Sequence, residues 1–267
     1  MIISEVKWGL GNQLFQYAAG LSLARHRNTQ LLLDISDYEE DIHRELCLKY
    51  FEIDDIKTEL DPEFEDISFN FYKEPHFHFD NNFFNALNFT YLSGCWQTEK
   101  YFANIKEEIM TKFQIRPQYL ADINIDEFKF ADCTSINLHI RRGDYAVHTF
   151  LGILPLDYYY RAINYFTAHF ENVKFFIFSD DIQWVKENLQ LQAAHVYVSE
   201  NHTKNNIEDF YLMQQCKHHI IANSTFSWWA SWLCKYPDKK IIAPSQWFLA
   251  RQNADTKDLI PKNWLTM

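Results

Sequence analysis

The sequence predicts an α/β protein built on parallel sheets, and three observations carry that prediction. From residue 134 onward short apolar runs alternate with amphipathic segments, the pattern of parallel strands joined through helices. The first 34 residues read as a βαβ unit by themselves. Polar and charged residues also gather where the expected strands end, and in open α/β sheets ligands bind outside the carboxyl ends of strands.

The elements follow in order. Ile2 to Val6 is a short apolar strand, and Gly9-Leu10-Gly11-Asn12 is a turn. From Gln13 to His26 the spacing of Leu14, Ala18 and Leu21 puts apolar side chains on one helical face. Leu31 to Asp34 is the second strand. Between residues 35 and 130 the periodicity fades. Tyr38 to Asp66 is acidic, Phe69 to Asn88 is crowded with Phe and Asn, and helices with long loops are expected, with Trp96 to Phe102 opening one helix. The regular half then runs as strand 136–140, helix 157–170, strand 173–178, helix 182–189, strand 195–198, helix 206–215, strand 218–222, helix 224–235 and strand 240–243. A boundary between Phe128 and Ser135 divides the chain into residues 1–130 and 131–267.

Composition excludes several classes. Hydrophobic residues make up 47% of the 267, enough for a sizeable core. The formal net charge is −11, so the basic footprint of a general nucleic-acid binder is missing. Arg141 and Arg142 run against that trend. The five cysteines (Cys47, Cys95, Cys133, Cys216 and Cys234) are odd in number and widely spaced, which fits a reducing compartment better than a disulfide framework or a zinc site. No apolar run has the length of a membrane span, and the N-terminal stretch lacks the basic start of a signal peptide. Asn-x-Ser/Thr sequons begin at Asn88, Asn201 and Asn223, and they carry no meaning without secretion.

Four constellations could carry chemistry. His139-Ile140-Arg141-Arg142-Gly143-Asp144-Tyr145 follows a strand, and paired guanidiniums there suit phosphate oxygens; a surface salt-bridge cluster is the plainer alternative. Gly9-x-Gly11 opens a helix but lacks the third glycine of a dinucleotide fingerprint, since Leu14 holds that place. It reads either as a plain turn or as backbone N–H groups near a ligand, with Gly11, Asn12 and Gln13 as contacts. In Ser179-Asp180-Asp181 a carboxylate can accept from ribose or guanine, or cap the next helix. Asn223-Ser224-Thr225 precedes a helix whose N-terminus is a ready anion site, or is simply capped. Trp228, Trp229 and Trp232 read as helix core, and His218-His219 as structural. No Asp-x-Asp triplet is present to clamp a metal on a diphosphate, and no Gly-x-Ser-x-Gly elbow supports a serine hydrolase. A nucleoside diphosphate would use cations, carboxylates and a helix end together.

The sequence further resembles a known family. Gly9-Leu10-Gly11-Asn12-Gln13-Leu14-Phe15-Gln16-Tyr17-Ala18, the His139 to Tyr145 run, Leu156-Asp157-Tyr158-Tyr159, Ser179-Asp180-Asp181 and Asn223-Ser224-Thr225-Phe226-Ser227-Trp228-Trp229 are similar, in that order, to the α-1,2-fucosyltransferases of glycosyltransferase family 11. The resemblance implies a GT-B-like pair of Rossmann-like domains, with residues 1–130 on the acceptor side and 131–267 binding GDP-fucose. It implies transfer of fucose to O2 of a terminal β-galactose of a glycan, with inversion and without a metal or other cofactor. It maps Arg141 onto the β-phosphate, with Arg142 beside it, His139 near the nucleoside, Asp181 onto guanine, and Ser224 and Thr225, after Asn223, onto the diphosphate.

Inversion also asks for a base on the acceptor hydroxyl. Asp144 is the nearest candidate and His148 a second. Many relatives carry Gly-x-Cys shortly before the Tyr-Tyr helix; here it is Gly152-Ile153-Leu154, a departure that bears on acceptor contacts. Two other readings stay open: a GDP-fucose enzyme with a different acceptor, and a nucleotide- or glycan-binding protein without turnover. A bacterial cytoplasmic location is expected, with access to lipid-linked glycans at the inner membrane as a further hypothesis that activity confined to soluble oligosaccharides would count against.

Overall fold

The computed structural model describes residues 1–40, 45–54, 56–60, 62, 67–143, 145, 151–249 and 254–267. Asp144 and His148 therefore lie outside the described residues. The chain forms two compact units. The first comprises Met1–Arg116 with Asp255–Pro261, and the second Pro117–Ala254 with Lys262–Met267.

The first unit contains β1 (Ile2–Glu5), α1 (Leu10–His26), β2 (Leu31–Asp34), the short α2 (Ser36–Glu40), β3 (Asn70–Lys73), β4 (Thr90–Ser93) and α3 (Lys106–Lys112). Its four strands are all parallel, in the order β2-β1-β4-β3. Helix α1 begins at Leu10, three residues before the sequence-based expectation. The Gly9 carbonyl accepts the N–H groups of Asn12 and Gln13, so Gly11, Asn12 and Gln13 form the first turn of the helix rather than a loop. The sharp turn falls instead at Trp8, whose φ is +70°.

The strands β3 and β4 are not foreseen in the sequence. β3 is a four-residue edge strand with three exposed positions, so no alternation of apolar and polar residues marks it. The helix expected from Trp96 also comes late. Glu99–Tyr101 and Ala103–Ile105 form single 3-10 turns before α3 starts at Lys106.

The second unit holds β5 (Thr134–Ile140), α4 (Leu156–His169), β6 (Val173–Ser179), α5 (Ile182–Asn188), β7 (Ala194–Tyr197), α6 (Asn206–Gln215), β8 (His218–Ile220), α7 (Thr225–Leu233), β9 (Ile241–Ala243) and β10 (Leu265–Thr266). The six strands are parallel in the order β10-β9-β8-β5-β6-β7. β5 is buried along six of its seven positions, as a strand covered on both faces must be. Ile136, Leu138 and Ile140 pack with Phe175, Ile177, Tyr159 and Phe166 in one core cluster, each fully buried aliphatic or aromatic side chain contributing roughly 1.5–3 kcal/mol.

β5 and β6 pair residue for residue from Thr134↔Val173 to Ile140↔Ser179. Their carboxyl ends are therefore flush, and the residues that follow each strand emerge side by side. The five cysteines are free thiols. Trp228 and Trp229 are fully buried and Trp232 nearly so, which makes them core. No described helix is long and apolar enough to cross a membrane.

Candidate functional site

The flush ends of β5 and β6 decide the geometry of the second unit's polar edge. Arg141 and Arg142 leave β5 beside Asp180 and Asp181, which leave β6. The Arg141 Nε lies 3.1 Å from Asp180 Oδ2, and the Arg142 backbone N–H donates to Asp180 Oδ1 at 2.9 Å. The Arg142 Nε donates to Asp181 Oδ2 at 3.2 Å. The Arg142 guanidinium also lies over the Trp184 ring, 3.4 Å from its centre, a cation–π contact that fixes the plane of the fork. Asp181 has a second task, because its Oδ1 accepts the Trp184 N–H at 3.2 Å and so caps α5. Of the two readings of this stretch, helix capping is the one observed for Asp181, alongside its bond to Arg142.

Gly143 completes the turn. A Cβ there would stand 2.5 Å from Asp180 Oδ2, so only glycine lets the loop pass this close to the carboxylate that holds Arg141. Tyr145 reaches across from the same loop. Its hydroxyl donates to the Asn223 carbonyl at 3.1 Å, and its ring lies 5.5 Å from the Arg141 guanidinium carbon. The arginine loop is thereby tied to the turn between β8 and α7.

His139 points from β5 toward Phe226, with ring centres 5.8 Å apart, and is 4% exposed. Burial, and then the charge of Arg141, push its pKa down to about 3. The ring is neutral near pH 7, and its Nδ1 has no hydrogen-bond partner among the described residues.

The start of α7 lacks the side-chain cap that Asp181 gives α5 and Asn205 gives α6. Ser224 occupies the cap position, but its side chain makes no capping bond. The first-turn N–H groups are therefore not closed off by their own cap, the condition in which a helix N-terminus receives an anion. Asn223, 1% exposed, is spent on architecture: its Nδ2 reaches the carbonyls of Leu151, Gly152 and Trp247 at 3.0–3.2 Å.

Of the residues singled out in the sequence, the second unit brings His139, Arg141, Arg142, Asp181, Asn223, Ser224 and Thr225 to one sheet edge. Gly11, Asn12 and Gln13 belong to the first unit. There Gln13 is fully buried; its Nε2 donates to the carbonyls of Trp8 and Glu45, and its Oε1 accepts the Cys47 N–H at 2.7 Å. Asn12 Oδ1 accepts from Gln97 Nε2 at 2.7 Å. Sequence reasoning passed over Asp180, Trp184 and Tyr145 as site residues. The signal for Asp180 was its place directly after a strand that pairs with the arginine strand in full register. Among the described residues no cluster of His, Cys, Asp and Glu is arranged to hold a metal ion.

Comparison with known proteins adds three findings. The sequence model described as Glycosyl transferase family 11 matches residues 2–267. An alpha-1,2-colitosyltransferase of Escherichia coli is 33% identical, covering 99% of this chain and 98% of that protein; galactoside alpha-(1,2)-fucosyltransferase 1 of Mus musculus is 26% identical, covering 94% of this chain and 71% of that protein. A crystal structure of NodZ alpha-1,6-fucosyltransferase soaked with GDP-fucose has a similar fold, with a TM-score of 0.53 at 20% identity, covering 87% of this chain and 91% of that one.

Proposed function

Because the chain belongs to glycosyl transferase family 11, we propose that it transfers L-fucose from GDP-fucose to O2 of a terminal β-galactose, with inversion and without a metal. The observation that carries this reading is the pair of arginines held by Asp180 and Asp181 at the same edge as the uncapped start of α7. In this proposal the second unit takes the donor and the first the acceptor.

The chemistry follows from the charges. As the bond from fucose C1 to the phosphate oxygen lengthens, negative charge gathers on GDP. Arg141, positioned by Asp180, and the N–H groups around Ser224 and Thr225 stabilise that charge, with no reorganisation needed at the moment of reaction. Arg142 supports the same region from its seat on Trp184. Neutral His139 lies by the nucleoside and adds no charge there. Asp181 reads the guanine edge; each carboxylate oxygen can accept more than one hydrogen bond, so capping α5 and holding Arg142 does not exhaust it. Gly11, Asn12 and Gln13 form the corresponding turn of the first unit, where the buried Gln13 amide keeps the Trp8 turn and the 45–47 segment in place.

Gly143→Ala tests the loop geometry. The added methyl would drive the Asp180 carboxylate off Arg141, and a misplacement of this size costs turnover roughly 10- to 100-fold, while the melting temperature changes little because the displaced group is a side-chain end. Wild-type turnover in the variant would show that the Asp180 contact does not position Arg141.

A second donor is favoured by one specific finding, the 33% identity to a protein named for colitose. Colitose is fucose without the 3-hydroxyl, so a single polar contact separates the two donors. The deciding experiment offers GDP-fucose and GDP-colitose in turn, with lactose and Galβ1-3GlcNAc as acceptors and EDTA present, and reads the linkage by NMR. An α-1,2-fucosylated product is expected. Product from GDP-colitose alone would replace the donor. GDP binding with no transfer from either would point to another acceptor or to a binding protein.

A further inference from the structure

Helix α6 begins with a complete cap. Asn205 Oδ1 accepts the N–H groups of Ile207 and Glu208, and Glu208 Oε2 accepts the Lys204 N–H at 2.8 Å, so the first turn is closed from both sides. Asp209 comes next, and its carboxylate is not needed there. It turns back to the loop after β7, where Oδ2 accepts the Ser199 hydroxyl and Oδ1 the Thr203 hydroxyl, each at 2.6 Å. The two bonds stand on either side of Glu200, whose φ of +65° is uncommon for a residue other than glycine. A backbone held in such a conformation is over-determined by its surroundings, and these places gather at functional sites.

Ser199 passes the constraint on. It is 3% exposed, and its Oγ, having given its proton to Asp209, accepts the Ser179 N–H at 3.0 Å. Ser179 is the last residue of β6 and is also buried; its own Oγ accepts the Asp181 N–H at 3.1 Å. A hydroxyl rotates to suit its neighbours, and the carboxylate decides which way this one points. Burial raises the Asp209 pKa to about 6 against the two hydroxyl bonds, with Glu208 and Glu200 adding to the rise, so near pH 7 the carboxylate is ionised and can only accept. The hydrogen bonds therefore run one way, from the Asp181 N–H to Ser179, from the Ser179 N–H to Ser199, and from the Ser199 O–H to Asp209. What hangs from this chain is the turn 179–181, which carries both aspartates of the arginine fork.

We propose that Asp209 is a positioning residue for the nucleotide base: acting through Ser199 and Ser179, it fixes how Asp181 presents its carboxylate and so sets the preference of the second unit for guanine. The inference rests on the reading of Asp181 as the guanine contact proposed above. Asp209 itself does not touch the ligand. All of its partners lie in the second unit, and Ser199 and Ser179 are shielded from water, which keeps the chain of bonds from being replaced by solvent.

The test uses two nucleotides with the same ribose and diphosphate. GDP has the 2-amino group that a carboxylate can bind, and inosine diphosphate lacks it. General loosening of the site weakens both alike; a misdirected Asp181 changes their ratio. Calorimetric affinities for the two, with melting temperatures, are compared in wild type, Asp181→Ala, Asp209→Asn, Thr203→Val and Asn205→Ala. Wild type should prefer GDP roughly 10-fold or more, the size of one hydrogen bond to a charged group. Asp209→Asn keeps the shape of the side chain but brings a donor where only acceptance fits, and should narrow the preference roughly 3-fold or more. Thr203→Val should act in the same direction, and it carries the test if Asp209→Asn does not fold. Asn205→Ala removes the α6 cap, so it should lower the melting temperature and leave the preference at its wild-type value. In an Asp181→Ala background, Asp209→Asn should no longer alter the ratio. Folded Asp209→Asn or Thr203→Val with the wild-type preference overturns this proposal alone, as does an Asn205→Ala that narrows it equally. A wild type that binds both nucleotides alike overturns the guanine reading of Asp181 and this proposal with it.

Discussion

Replacing Arg141 with alanine is expected to lower kcat by two to three orders of magnitude, roughly the loss seen when one preorganised donor to a developing anion is removed. The fold should survive. The Arg141 side chain is 29% exposed and its pairing with Asp180 is a partly solvated one, worth at most about 1 kcal/mol. Asp180 is not stranded by the change, since it still accepts the Arg142 N–H. Arg141→Lys keeps the charge and loses the fork, so it should recover only part of the rate. The measurement is steady-state turnover alongside GDP binding and thermal melting. A folded Arg141→Ala protein with near-normal turnover would falsify the assignment of Arg141 to the leaving group.

Acid should destabilise the second unit through its buried histidines. Burial pushes His139 down to about 3, His218 down to about 4, and His219 well below its ordinary value. In the unfolded chain each titrates near 6.5. Below that pH the unfolded state takes up protons that the folded state refuses, so their contribution to stability, complete above about 6.5, is lost as pH falls toward 4. The slope is at most about 1.4 kcal/mol per pH unit for each histidine. Two acids act in the opposite sense. Glu74 and Asp209 are raised by burial to about 7 and about 6, so the folded state takes up their protons first. One substitution separates these contributions. His219 is fully buried, with its Nδ1 3.2 Å from the Asn137 amide nitrogen, and asparagine keeps an acceptor there without titrating. Urea unfolding of His219→Asn should show a flatter loss of stability between pH 6.5 and 5 than wild type. Parallel curves would mean that His219 takes no part.

Much of this was legible in the sequence where periodicity was strong. The alternation after residue 134 foretold β5, β6, β8 and the helices between them, and a buried parallel strand such as Phe175 to Phe178 announces itself as an unbroken apolar run. The edge strand β3 did not, because Asn70-Phe71-Tyr72-Lys73 faces solvent at three of four positions and has no core side to imprint a pattern. The candidate site was legible as residue types but not as partnerships. Arg141 and Asp181 stood out. That Asp180, one residue earlier, holds Arg141 depends on the register of β5 against β6, which no local pattern encodes. Gln13 shows the reverse problem. An amide after a glycine turn reads like a ligand contact, yet its three hydrogen bonds close backbone groups from residues 8, 45 and 47 that are distant in sequence.

Each unit is assembled from two stretches of chain. Residues 255–261 belong to the first unit, where Asp258 accepts the Phe79 N–H and pairs with Lys100, while 262–267 return to the second to lay β10 beside β9. During synthesis the first unit cannot close until residues 255–261 have left the ribosome, after nearly all of the second unit, so the usual order of N-terminal domain before C-terminal domain is withheld from it. For the same reason no single scission yields two self-sufficient fragments. A cut near residue 116 strips the first unit of its Asp258 clasp, and a deletion of the last thirteen residues strips both.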